Sequence, residues 1–279
     1  MIQTIVIVVV TATLTALITV TLLLLIRQSP IILNRAMQAT CDNTTTCHST
    51  RIPRVIYRIN IGGTAHHVLS KAQQQAWDFT AKHNPEYRQV LFTDNEVDAF
   101  MTNFMDGQMK PIYDALVPGA ARADLFRYCL MYKNGGVYLD IKSGARDLSK
   151  LIRADDRMLV STWHFFFRVH DEPRPAFGEF QQWWLVCEAN HPVMYRVIKH
   201  IERTIKIRIE RNELQTKNTR IDVLMTTGPI AFTNVILSDT CDASPRVTPP
   251  DGNDTFIYDV AGTHISGANY SKGPLLCHK

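Results

Sequence analysis

Apolar residues change their spacing repeatedly along this chain, and that switching constrains the fold more than any other feature. "PRVIYRI" (Pro53 to Ile59) is a β-branched run closed by Asn60-Ile61-Gly62-Gly63, and a helix-like segment follows from Leu69 to Ala81. "YRQVLFTD" (Tyr87 to Asp94) reads as a second strand and Asn95 to Met105 as a second helix. Strands that alternate with helices imply a parallel sheet. Pro118-Gly119 then opens a segment with Leu125, Cys129 and Tyr132 at helical spacing, Asn134-Gly135 ends it, and Val137 to Leu139 forms a short buried strand. Arg157 to Trp163 and Trp183 to Ala189 read as further strands. Pro192 opens a long helix with Val193, Val197, Ile198 and Ile201 inward, and Thr255 to Val260 is expected as the last strand. No internal repeat breaks this order.

The pattern begins only after residue 50. Residues 2–26 carry no charge, and a bilayer-spanning helix needs about 20 such residues. The segment is too long for a cleaved signal peptide and ends in Leu-Leu-Leu-Leu-Ile-Arg, so it reads as an uncleaved membrane anchor. Residues 27–50 are polar and Thr/Asn-rich and suit a stem, which leaves 51–279 as one domain. Arg27, Arg35, Arg51 and Arg54 follow the anchor and favour a cytoplasmic domain by the positive-inside tendency. Against them stand three glycosylation acceptors, at Asn43, Asn253 and Asn269, and a short loop between Cys41 and Cys47 that could close as a disulfide. The balance leans to a single-pass protein facing the Golgi or endoplasmic reticulum lumen, with the cytoplasmic orientation left open. A net charge of +4 is small for 279 residues, and the basic residues are spread out, which gives nucleic-acid binding little support.

The chemistry concentrates where the strand at Val137 to Leu139 ends on Asp140, followed two residues later by Lys142. Ligands of open α/β sheets sit beyond the carboxyl ends of the strands, so a carboxylate there is placed to meet one. On the preceding helix Asp124 and Arg127 are spaced i, i+3 and share a face, which offers acceptors and a planar donor fork to a sugar with many hydroxyls. Taken singly, the same residues also fit a surface ion pair and an Asp140-Ser143 turn.

Together, "ARADLFRYCLMYKNGGVYLDIKS" resembles the sugar-binding signature of glycosyltransferase family 32. "IPRVIYRIN", "NPEYRQVLFTD", "NHP" at Asn190 and "TTGPIAFT" at Thr226 resemble the family's other landmarks, so the likeness runs from about Ile52 to Tyr270. The resemblance implies a GT-A-like, Rossmann-like α/β fold with a mixed sheet flanked by helices, here preceded by one transmembrane helix. It also implies retaining transfer of a sugar from a UDP- or GDP-sugar donor to a glycan acceptor. By the same resemblance Asp124 and Arg127 hold the donor sugar, and Asp140 is the first Asp of the Asp-x-Asp motif, meeting the ribose and a divalent cation. His264, in "GTHISGANY", then lies near the diphosphate.

The chain departs from the pattern at Lys142, where many members have the second Asp. Mn²⁺ or Mg²⁺ is the cofactor that the resemblance implies, and a lysine is no ligand for it. Two expectations follow: the Lys142 ammonium itself meets the diphosphate, or Lys142 points away and Asp140 holds the ion with a C-terminal residue. The leading reading is a membrane-anchored glycosyltransferase, with no catalytic base or nucleophile assigned. The alternative is a catalytically silent membrane module that binds a nucleotide-sugar or glycan.

Overall fold

The computed structural model describes residues 52–62, 68–163, 179–213, 219–238, 244–262 and 275–277. The expected anchor (2–26), the stem (27–50) and His264 lie outside the described residues, as do Asn43, Asn269, Cys41 and Cys47. Among the described residues no helix is long and apolar enough to cross a membrane.

The first strand, β1 (Val55–Asn60), pairs in parallel with β2 (Arg88–Thr93) on one side and β3 (Gly136–Leu139) on the other. Helix α1 (Lys71–His83) starts at Ser70, which forms a reciprocal capping box with Gln73, and α2 (Asp94–Asn103) starts at a similar Thr93/Glu96 box. Each cap gives a crossover helix a sharp start, and at Thr93 the cap is the last residue of β2. This half matches the alternating pattern of the sequence. The second half does not continue in parallel. β5 (Met158–Ser161) and β6 (Trp184–Cys187) are antiparallel, β6 is antiparallel to β3 as well, and β7 (Arg246–Thr248) runs parallel to β5. The sheet order is β2-β1-β3-β6-β5-β7, a mixed sheet in which β6 runs against the other five.

Strand directions decide where a site can form. The carboxyl ends of β1, β3, β5 and β7 and the start of β6 share one edge, so Asp140, just past β3, faces Gln182 and Trp183, just before β6. The expected last strand is shorter than its pattern. β8 (Phe256–Ile257) lies outside the main sheet and pairs antiparallel with β4 (Gly144–Ala145), because Phe256 stacks its ring on Trp184 at 4.0 Å and holds the segment over the sheet. Three-residue β7, hemmed by prolines, carried too little pattern to read.

Between α3 (Lys110–Ala115) and β3 runs α4 (Gly119–Asn134), which is buried from Leu125 to Met131. It lies between the sheet and α5 (Pro192–Glu210), so it has no solvated face and little amphipathic contrast. Gly135 and Gly136 turn the chain from α4 into β3 with φ of +63° and +100°. A Cβ on Gly135 would stand 2.5 Å from the Ala189 nitrogen, so only glycine fits the reversal. Val137, Tyr138 and Leu139 are almost wholly buried, and burial of each such side chain contributes roughly 1.5–3 kcal/mol. The strand end that carries Asp140 is thereby fixed from within the core. The helices α6 (Thr219–Thr226) and α7 (Pro229–Leu237) close the second half, and Thr227 sits in the break between them.

Candidate active site

Beyond Leu139 the chain makes a tight turn, with the Ser143 amide donating to the Asp140 carbonyl at 2.9 Å. The Asp140 amide donates to the Trp183 carbonyl at 2.8 Å, the Val260 amide to the Lys142 carbonyl at 3.1 Å, and the Ser143 hydroxyl to the Tyr258 carbonyl at 2.6 Å. Asp140 therefore opens a turn, and it does so just past the carboxyl end of β3. Underneath lies Arg58 of β1, 0% exposed. Its guanidinium donates to the carbonyls of Asp140 (3.1 Å), Ile141 (3.4 Å) and Ser143 (2.6 Å), and reaches Ala76, Thr80 and Gln89 as well. Burial pulls its pKa down to about 10, with Tyr138 and Asp140 opposing the shift. It remains charged at neutral pH.

Asp124 and Arg127 do not form a surface ion pair. Their side chains are only 6% and 8% exposed, and Arg127 Nη2 meets Asp124 Oδ1 at 3.1 Å. The same guanidinium bridges to β3, with Nη1 3.2 Å from Asp140 Oδ1, donates to the Gln182 carbonyl at 2.9 Å, and lies 4.9 Å from the Tyr138 ring centre. Asp124 accepts from the Gln182 amide at 3.1 Å and from the Thr227 hydroxyl at 3.0 Å. Tyr138 donates to Asp140 Oδ1 at 2.8 Å, and Tyr128 bonds both the Gln182 side chain and the Thr227 carbonyl.

Burial raises the Asp124 carboxyl to about 6, with Arg127 and Thr227 opposing the rise. Burial pulls Arg127 down, but Tyr138, Asp140 and Asp124 outweigh it and hold the guanidinium above its ordinary range. A carboxylate has about four lone-pair sites and a guanidinium five N–H groups. Among the described residues the network leaves Asp124 roughly one open acceptor site and Arg127 one unused Nη2 hydrogen, a complementary pair that a sugar hydroxyl can fill. Asp140, 36% exposed at its side chain, keeps Oδ2 free among the described residues.

The structure thus brings Asp124, Arg127 and Asp140 together and sets Lys142 at the same turn, partly exposed and without an ion pair among the described residues. Arg58, Tyr138, Gln182 and Thr227 complete this network, and sequence reasoning did not single them out. Arg58, Tyr138 and Thr227 fall inside the landmark stretches and Gln182 outside them, and no spacing rule links Thr227 to Asp124, 103 residues away. Trp183 and Trp184 are buried core, and Trp163 packs with Trp183 and Tyr258.

The implied divalent cation fits these residues poorly. Asp140 Oδ1 is bonded to Tyr138 and Arg127, three carbonyls of the turn are committed to Arg58, and a cation occupies position 142. Among the described residues no group of three or more His, Cys, Asp or Glu side chains is placed to hold a metal ion.

Comparison with known proteins agrees with the family resemblance. Residues 70–153 match the model of the glycosyltransferase sugar-binding region containing a DXD motif. An initiation-specific α-1,6-mannosyltransferase of Candida albicans is 25% identical over 58% of this chain and 46% of its own length. Inositol phosphoceramide mannosyltransferase 3 of Schizosaccharomyces pombe is 30% identical over 37% of this chain and 28% of its own. The matches thus span less than half of either relative. The UDP-bound glycosyltransferase domain of the YGT toxin shares the fold, with a TM-score of 0.50 at 10% identity over 77% of this chain and 82% of that domain. The family model thus matches the stretch from residue 70 to 153, and these relatives, named as mannosyltransferases, are similar to part of the chain.

Proposed function

We propose that the chain transfers a glycosyl group from a nucleotide-diphosphate sugar to an acceptor hydroxyl. The observation that carries this reading is the buried Asp124-Arg127 pair bridged to Asp140 at the carboxyl edge of the sheet, inside the stretch that matches the sugar-binding model. The open acceptor site on Asp124 and the spare Arg127 hydrogen hold hydroxyls of the donor sugar. Asp140, with Oδ2 free among the described residues, meets the ribose side of the nucleotide, and the family resemblance assigns His264 to the diphosphate. The donor is a UDP- or GDP-sugar, and mannose is the first sugar to test, because the curated relatives bear that name. The acceptor is a glycan.

The reaction we infer retains the anomeric configuration. The bond from C1 to the diphosphate breaks with its electron pair leaving on phosphate, the acceptor oxygen bonds C1 from the same face, and its proton passes to the departing phosphate oxygen. Asp124, with both oxygens engaged by Arg127, Gln182 and Thr227, is a poor free nucleophile, which favours this course. In the cell, residues 2–26 would anchor the enzyme and 27–50 would hold the domain in the secretory lumen, a placement supported by the glycosylation acceptors.

The test is donor turnover by the purified full-length chain against a panel of UDP- and GDP-sugars with glycan acceptors, beside Asp140→Ala. Turnover that disappears in Asp140→Ala supports the reading. A donor that binds without turning over points to the silent binding module. Neither binding nor turnover with any donor sinks both.

A further inference from the structure

We propose that Lys142 takes the place of the divalent cation, so that the diphosphate leaving group is neutralised by the protein's own ammonium and transfer proceeds without metal. The proposal rests on the nucleotide-sugar reading above and settles how that site handles charge.

Three observations carry it. The first is the charge at the turn. A second Asp two residues past Asp140 would add a negative charge to bind a dication, whereas Lys142 supplies a positive one on a turn whose carbonyls Arg58 holds and whose Asp140 is paired with Arg127. A further cation at Asp140 would meet that field at close range, where a partly buried site screens little.

The second is ligand supply. Mg²⁺ and Mn²⁺ take hard oxygen ligands, and the backbone carbonyls of a turn are natural ones. Here the carbonyls of Asp140, Ile141 and Ser143 all accept from Arg58, and one Asp140 oxygen is held by Tyr138 and Arg127. The acid nearest in the chain pairing is Asp259, next to Val260, whose amide bonds the Lys142 carbonyl. One oxygen of Asp259 accepts from the Ala261 amide, and the other is buried without a partner among the described residues.

The third is placement. Arg58 locks the turn from below and the Val260 contact locks it from the side, so the Lys142 backbone is fixed at the ligand edge. Its side chain is partly exposed and makes no ion pair among the described residues. A strongly hydrated, flexible ammonium suits a diphosphate as a point charge.

During transfer the C1–oxygen bond breaks, its electron pair stays on the diphosphate, and the acceptor's proton ends on that phosphate oxygen. Lys142 stays protonated throughout and stabilises the charge that develops, as a preorganised donor does.

Two measurements on the full-length chain decide the matter. The first is donor turnover in EDTA and with added Mn²⁺. The second is the Mn²⁺ signal by electron paramagnetic resonance with UDP or GDP present, compared with nucleotide alone. Wild type is expected to turn over equally in both conditions and to capture no extra Mn²⁺. Lys142→Ala is expected to lose turnover on the order of 10²-fold with an unchanged melting temperature, the scale for removal of one charge-stabilising donor. Lys142→Asp is expected to be equally impaired in EDTA, to bind Mn²⁺, and to regain activity with it.

Wild-type turnover that vanishes in EDTA and returns with Mn²⁺ overturns the proposal. So does Lys142→Ala that works as well as wild type. An Mn²⁺ signal in wild type that Asp259→Asn removes overturns it too, by locating the ion there. No turnover and no nucleotide binding in any variant instead condemns the nucleotide-sugar reading.

Discussion

Arg58 and Arg127 are both buried under the same turn, yet their surroundings are opposite. Arg58 is bonded to neutral oxygens alone, and burial lowers its pKa to about 10. Arg127 stands between Asp124 and Asp140 and is held above its ordinary range. The difference separates construction from recognition. Arg58 spends its hydrogens on backbone carbonyls and fixes a loop shape. Arg127 orients two carboxylates and leaves one hydrogen unused among the described residues, the hydrogen that the proposed donor contact requires.

The contrast breaks most visibly on truncation. Arg127→Met leaves Asp124 as a buried charge without its partner, and loss of one member of such a pair costs about 3–5 kcal/mol. Urea unfolding is expected to show that loss, and calorimetry to show no donor binding. Arg127→Lys is expected to recover part of the stability without the binding, because an ammonium cannot span both acids in a plane.

Arg58→Met leaves dipoles rather than a charge unpartnered. The Ile141 and Ser143 carbonyls lose their donor, which costs roughly 2–4 kcal/mol at about 1–2 each. The same unfolding measurement ranks the two variants. A larger loss in Arg58→Met than in Arg127→Met would reverse the assignment of roles.

The smallest effect is a pH dependence confined to the recognition side. Asp124 titrates at about 6 in the folded protein, against about 3.9 for a free Asp. Its raised value means that the folded state keeps a proton that the unfolded chain has released. This group's contribution to stability therefore declines as pH rises from about 4 to about 6 and is flat above. Donor affinity moves the other way, since the acceptor is charged only above about 6, and is expected to fall up to about tenfold per pH unit below it. Asp124→Asn should show a flat profile in that range. A wild-type profile equally flat between pH 5 and 7 would mean that Asp124 does not meet the donor.

The sequence made much of this fold legible because helix and strand spacing are local. The limits of β1, α1, β2, α2, α4 and β6 follow from apolar period, caps and the Gly135-Gly136 break, all of them short-range. β7 was missed and β8, the expected last strand, is shorter than its pattern, because two or three residues carry no period and because the Phe256 stack on Trp184 is tertiary. Direction was harder still. Period alone cannot say that β6 runs against its neighbours, and that reversal brings Gln182 to Asp124 and Arg127.

Sequence alone, then, singled out the candidate residues: Asp124 and Arg127 one helical turn apart, Asp140 at a strand end, and Lys142 where the family resemblance expects a second Asp. Spacing within a helix or turn is a local property, so those relations survive in any fold that keeps the elements. Only the tertiary structure decided what these residues are to each other. It buried the Asp124-Arg127 pair, raised the Asp124 pKa, and closed the network with Thr227 from 103 residues away. It also set Arg58 beneath the turn that presents Lys142. Burial and long-range hydrogen bonds depend on which surfaces meet, and no local pattern encodes that.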